Sequence, residues 1–200
     1  MKHGSWTTGW AGVGGMMVRM VLGGAGVVSA LGAAGVLGGC ETAPRTEGDR
    51  LSLSADVDAT LVRFEQADPS LRPLLNAAVG YAVFPDVGKA GFIVGGGYGK
   101  GEFFEGGVRT GYCDISQGSI GFQVGAQSYA EVVLFLKKSE VAAFKSGNYE
   151  FAANWSAVAL AAGAASKADY AKGVIVLVEP RGGLMAEASV GGQKFSYRAR

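Results

Sequence analysis

Residues 91–101 read Gly91-Phe-Ile-Val-Gly-Gly-Gly-Tyr-Gly-Lys-Gly101. Gly95, Gly97, Gly99 and Gly101 fall two apart, the side-chain period of a β-strand. On a strand they share one face and leave it bare. Phe92, Val94, Gly96, Tyr98 and Lys100 take the other face. A bare strand face is explained by close approach of another backbone, an aromatic ring or a ligand. Glycine weakens a strand, so close packing must compensate. A phosphate-binding loop does not fit. A Walker A motif ending at Gly99-Lys100 needs glycine at 94, which is valine, and Ser or Thr where Gly101 stands. A dinucleotide fingerprint needs a helix to follow, and Glu102-Phe-Phe-Glu105 is no helix start.

The chain on either side divides into helices first and strands after. Val57, Leu61 and Phe64 recur at helical spacing in Ser54–Ala67, with Ser54 as the expected N-cap. Asp68-Pro69-Ser70 separates this helix from a second at about Leu71–Ala78. From Val79-Gly80 the period becomes two. Strands are expected at 81–84, 90–98, 101–109, 116–125, 129–136, 149–158, 174–179, 184–190 and 194–197. Turns are expected at Pro85-Asp86, Pro180–Gly183 and Gly191-Gly192, with a short helix capped by Ser139 running to about Lys145. Residues 160–173 read as a strand end and a loop. The sum is an α+β fold: an antiparallel β-rich sandwich or barrel-like domain with two N-terminal helices and one short internal helix.

Composition narrows the chemistry. Glycine fills 34 of 200 positions without a collagen period, and the hydrophobic share of 48% is too high for a disordered chain. Residues 1–39 hold Lys2 and Arg19 and no acid, so residues 40–200 hold 16 Lys+Arg against 17 Asp+Glu. That balance argues against bulk attraction to nucleic acid. The sole histidine is His3, so a mature chain without its leader has no imidazole for a catalytic dyad or a metal ligand. No catalytic residue, metal or cofactor is expected. Asp56, Asp58 and Asp86 lack the spacing of a calcium loop.

Met20–Gly39 is uncharged, apolar and preceded by Arg19. Its length would allow a transmembrane anchor. Its glycine content and small-residue end favour a signal peptide. Leu37-Gly38-Gly39-Cys40 resembles a bacterial lipobox, in which the cysteine is acylated before cleavage and becomes the new N-terminus. The expectation is therefore a lipoprotein signal peptide at 1–39, a lipidated Cys40 with a tether to residue 53, and a domain at 54–198. Two or three acyl chains would hold it firmly. The expected location is the cell envelope, lipid-anchored. By resemblance to enterobacterial lipoprotein sorting, Glu41 rather than Asp after the cysteine favours the outer membrane, facing the periplasm.

Gly80-Tyr-Ala-Val-Phe-Pro-Asp-Val-Gly-Lys-Ala-Gly-Phe-Ile-Val-Gly-Gly-Gly-Tyr-Gly-Lys-Gly101 resembles the signature block of the SYLF domain family. Ser119–Ser128, Val133–Lys137, Gly173–Leu177 and Gly182–Val190 follow in the family's order, so the resemblance spans roughly residues 54–198. It implies a non-catalytic module binding anionic lipids, including phosphoinositides in eukaryotic relatives. The actin binding of fungal members is not carried over. The helical region departs from a basic amphipathic membrane helix, since Arg63 and Arg72 stand beside Asp56, Asp58, Glu65 and Asp68.

An anionic head group needs fixed positive charge or clustered backbone N–H groups. Lys89 and Lys100 flank the glycine-rich strand and Arg109 ends the next, which makes them the expected head-group site. The bland alternative is that lysines beside turns keep strand edges soluble. Lys137, Lys138 and Lys145 form a second basic cluster, whose alternative is a solvated helix face. Cys113 is expected to be a buried, inert thiol, and Trp155, Phe103, Phe104 and Tyr112 to be packing residues. The rival function is a structural or interaction lipoprotein that binds a protein partner or self-associates.

Overall fold

A computed structural model of the protein describes residues 42–147, 149–151, 158–159 and 173–200. The leader, Cys40, Trp155 and residues 160–172 lie outside the described residues.

Helix α1 (Glu47–Ala67) starts earlier than its apolar spacing suggests. Thr46 caps it: its Oγ1 accepts the Asp49 N–H at 3.1 Å, and its own N–H donates to Asp49 Oδ2 at 3.3 Å. This reciprocal capping box satisfies two donors at the helix start. It makes most of the expected tether helical. Ser54, the expected cap, lies inside the helix, where its hydroxyl donates to Glu102 Oε1 at 2.8 Å. Val57, Thr60 and Phe64 form the buried stripe. Asp68 ends the helix and accepts both the N–H and the hydroxyl of Ser70. Helix α2 (Leu71–Ala77) buries Leu71, Leu74 and Leu75.

Among the described residues the strands are fewer and longer than expected; residues 152–157 of the expected 149–158 strand lie outside them. β1 (Gly80–Gly91) and β2 (Val94–Glu105) form a hairpin, and β3 (Val108–Phe135) runs for 28 residues. Gly106 and Gly107, with φ of 56° and 80°, form the tight turn between β2 and β3, as type I′ hairpins require. β3 first follows β2, from Val108 opposite Glu105 to Ile120 opposite Val94. It then follows the other edge of β1, from Gly125 opposite Gly91 to Phe135 opposite Gly80. The register thus folds β3 round the tip of the hairpin. Strand β6 (Val174–Ala199) pairs with β3 from Phe135 to Gly111 and encloses it in the same way. Helix α3 (Lys138–Lys145) joins the layers; β4 (Tyr149–Phe151) pairs with the second half of β6, and β5 (Val158–Ala159) runs parallel to its first half.

Three expected turns are not turns. β1 continues through Pro85-Asp86 with a register shift, β6 continues through Pro180–Gly183 with a bulge opposite Ser128/Tyr129, and Gly191-Gly192 stays paired to β3. The expected break at Gly99-Lys100 lies inside β2, and the chain reverses at Phe92-Ile93 instead. Lys137, not Ser139, occupies the N-cap of α3, and no side chain caps the helix there. Glycine and proline here bend or bulge strands whose partners remain in place.

The sheet is curled. The rings of Phe84 in β1 and Phe195 in β6 lie 5.7 Å apart, although two strands separate them in the sheet. A flat sheet would put about 14 Å between them. The curl creates two cores. Inside it, Phe84, Phe103, Ile115, Phe135 and Phe195 pack with Val141 and Phe144 of α3. Outside it, α1 and α2 cover Tyr81, Val83, Phe104, Val132 and Leu134. The expected α+β class, a mainly antiparallel sheet with two N-terminal helices and one internal helix, is what the structure shows.

Candidate functional site

Residues directly opposite in register share a face, so the inner surface can be read rung by rung across the strands. One rung is apolar: Phe195, Ile115, Gly99, Val87 and Tyr129. The next rung towards the hairpin tip is polar: Gln193, Gln117, Gly97, Lys89 and Gln127. Beyond it Gly91, Gly95, Ser119 and Gly125 leave the inner face almost bare. The chain therefore builds a dry floor, a polar ring and an open mouth.

The bare face expected for β2 is present, and the group that approaches it is mainly the neighbouring strand. A Cβ on Gly101 would stand 2.3 Å from the Val83 carbonyl oxygen and 2.7 Å from the Phe84 ring. A Cβ on Gly99 would meet Asp86 O and the Val87 side chain within 3 Å. These glycines let β1 and β2 close tightly enough for the curl.

A cavity of about 530 Å³ occupies the polar ring. Lys89, Gln117, Gln127, Gln193, Arg181 and Glu131 line it. Arg181 reaches in from the β6 bulge and donates from Nη1 to Pro85 O at 2.5 Å. Pro85 sits in the irregular stretch of β1, so each bulge supports the other. Glu131 is fully buried. Its Oε2 accepts from Gln193 Nε2 at 3.0 Å, and its Oε1 has no hydrogen-bond partner among the described residues. Burial pushes its carboxyl up to about 8, against the opposing bond from Gln193. At neutral pH it is therefore a neutral acid, able to donate as well as accept. The ring offers two cations and amide donors to a ligand that carries negative charge and several oxygen acceptors.

The structure separates the sequence-predicted basic residues. Lys89 lines the cavity. Lys100 lies on the opposite face of β2, where it pairs with Asp114 at 3.3 Å and donates to Thr42 O at 3.2 Å. Tyr98 also donates to Asp114, at 2.9 Å. Arg109 ties the sheet to α1: it pairs with buried Glu102 at 2.7 Å and with Asp58, and lies 5.2 Å over the Phe104 ring. Lys145 donates to Glu105 at 2.8 Å, which raises its pKa, and sits 5.4 Å over Tyr197. Lys137 and Lys138 stand at the other end of α3. Cys113 is fully buried, and burial, with Asp114 and Glu102 nearby, pushes its thiol well up. Phe103, Phe104 and Tyr112 are buried as expected.

Sequence reasoning missed Arg181, Glu131 and the glutamines. Arg181 sits in Pro180-Arg-Gly-Gly183, which reads as a turn. Gln117, Gln127 and Gln193 have no local spacing signal, because only the register of β3 and β6 aligns them.

Residues 116–200, from within β3 to the C-terminus, match the family model Ysc84, described as Las17-binding protein actin regulator. Residues 116–200 are therefore similar to the Ysc84 (SYLF) family over somewhat less than half of the chain. A curated relative, Beta cell expansion factor A of Aeromonas veronii, is 27% identical over 149 residues. The match covers 73% of this chain and 56% of that protein, so the chain spans about half the length of this curated relative.

Proposed function

We propose that the domain binds anionic phospholipid at a membrane surface, with the head-group phosphate held by Lys89 and Arg181 in the inner cavity. The cavity at the polar rung carries this reading. It brings two cations together with Gln117, Gln127 and Gln193 in one roomy space between an apolar floor and a glycine-bare mouth. An arginine fork and a lysine point charge suit phosphate oxygens, and the amides can serve the remaining head-group oxygens. The lipid-binding branch of the SYLF family fits this chemistry, and phosphoinositide-type head groups are the fuller-charged members of the same class. Acylation of Cys40 would keep the domain at the periplasmic face of an envelope membrane, so that head-group affinity need only be modest.

The test is vesicle flotation of a Cys40→Ser protein, so that no acyl chain of its own binds the vesicle. We expect retention on vesicles containing phosphatidylglycerol and little on pure phosphatidylcholine. Lys89→Glu with Arg181→Glu should lower retention about tenfold, equivalent to roughly 1.4 kcal/mol. Equal retention by parent and variant would overturn the assignment of the cavity. Co-sedimentation with actin filaments in place of vesicles would favour the actin-related branch.

A further inference from the structure

Large exposed apolar side chains gather at one end of the sheet. Phe92, Ile93 and Val94 at the β1–β2 tip are 64%, 61% and 69% exposed, and Ile120 and Val124 at the β3 bend are 71% and 41%. The register places Val94 directly opposite Ile120. The bend is tied to the tip by the Gly121 N–H, which donates to Ile93 O at 2.9 Å. Residues 87–101 and 115–130 contain no acid, and Glu187 is the only one in 180–200. We infer that this tip enters the hydrocarbon of an anionic bilayer and that the rung of Lys89 then stands at the level of the lipid phosphates.

Three physical points single out a bilayer as the occupant. An apolar cluster at the end of a sheet offers little area to a folded partner, but each side chain gains by leaving water for acyl chains. The Phe92 and Gly121 N–H groups are bonded within the tip and the β3 bend is paired along β6, which limits the unpaired backbone that would meet hydrocarbon. Spacing is the third. Val94 lies three residues from Gly97, the β2 member of the cationic rung, which is about 10 Å along a strand. Interfacial elements enter a membrane by about 5–10 Å, so a seated tip and a phosphate-level Lys89 are compatible. Glu187, opposite Gln123 where β6 wraps the bend, is the one acid there; the absence of others limits repulsion from anionic lipid, and Lys89 and Arg181 supply the attraction.

The inference rests on the head-group reading for its orientation, and one experiment separates the two. Ile93→Cys in the Cys40→Ser background is labelled with an environment-sensitive fluorophore. Cys113 is buried and leaves the label at one position. Val108, 64% exposed at the far end of the hairpin, supplies the control as Val108→Cys. With phosphatidylglycerol vesicles the label at 93 should shift to the blue and be quenched by acyl-chain nitroxides, and the label at 108 should not. Phe92→Asp with Ile93→Asp should reduce vesicle retention at least about tenfold while leaving the thermal midpoint near that of the parent. If the protein floats but the label at 93 remains in water, insertion is wrong and head-group binding stands. If the label inserts equally into neutral vesicles and Lys89→Glu with Arg181→Glu changes nothing, insertion stands and the head-group reading falls. A label at 93 that is shielded without vesicles, in a concentration-dependent dimer, would assign the tip to a second copy of the chain instead. Flotation on no vesicle would dismiss both.

Discussion

Glu131 occupies a place where a carboxylate is costly. The residue is buried with one oxygen bonded to Gln193 and the other without a partner among the described residues, so the protein keeps it protonated. The consequence is a specific pH dependence. In the unfolded chain the carboxyl ionises near 4.5, and in the folded protein near 8. Between those values the unfolded chain binds fewer protons, so stability falls as pH rises, and outside them this residue adds no slope. Each unit of separation corresponds to roughly 1.4 kcal/mol. Glu131→Gln keeps the shape and a partner for Gln193 but cannot ionise. Chemical denaturation from pH 5 to 9 should show the parent losing stability relative to this variant as pH rises. Parallel pH profiles would mean that Glu131 is ionised in the fold. Lys89 and Arg181 line the same cavity, so an ionised Glu131 would also weaken an anionic ligand there.

At the scale of elements, the β1–β2 hairpin depends on the bare inner face of β2. Gly101 marks its tightest point, where a Cβ would stand 2.3 Å from a backbone oxygen that cannot rotate away. At Gly88, on the outer face, nothing lies within 4 Å. Gly101→Ala should therefore destabilise by about 1–3 kcal/mol through overpacking, and Gly88→Ala should stay within about 0.5 kcal/mol of the parent. Urea midpoints at constant slope would check the pair, and similar losses at both positions would refute the close-approach reading. This face was legible in the sequence because strict alternation is a local signal. The capping box was legible in principle too, since Thr46 and Asp49 stand three apart, but a polar stretch with proline and glycine reads first as a tether. The strand breaks were overread for a different reason. Proline and glycine forbid a chain direction only where no partner restores it, and β3 and β6 hold each other through Pro180 and Gly191 alike. The polar rung could not be read at all. Lys89, Gln117 and Gln193 are brought together by two wraps of the chain, and nothing near any of them in sequence records the other two.

At the scale of the molecule, concentric wrapping makes the matched family segment dependent on what precedes it. Residues 116–200 contain most of β3, then α3, β4, β5 and β6. They lack β1 and β2, which lie between the two halves of β3 and pair with the inner edge of each. They also lack Phe84, Val87, Phe103 and Ile115 of the inner core, and Val57, Phe64, Leu71 and Tyr81 of the outer one. A chain beginning at 116 would leave two long strand edges unpaired and both cores half-filled, a combination that favours aggregation over folding. A chain from Thr42 retains every described contact, including the bond from Lys100 to Thr42. Residues 42–200 should unfold in one cooperative transition, with coincident far- and near-ultraviolet circular dichroism. Residues 116–200 alone should show no such transition and no protected amides. A cooperative melt from the shorter chain would mean that β3 and β6 can pair without the hairpin they enclose, and the nested topology would then not be what holds the sheet together.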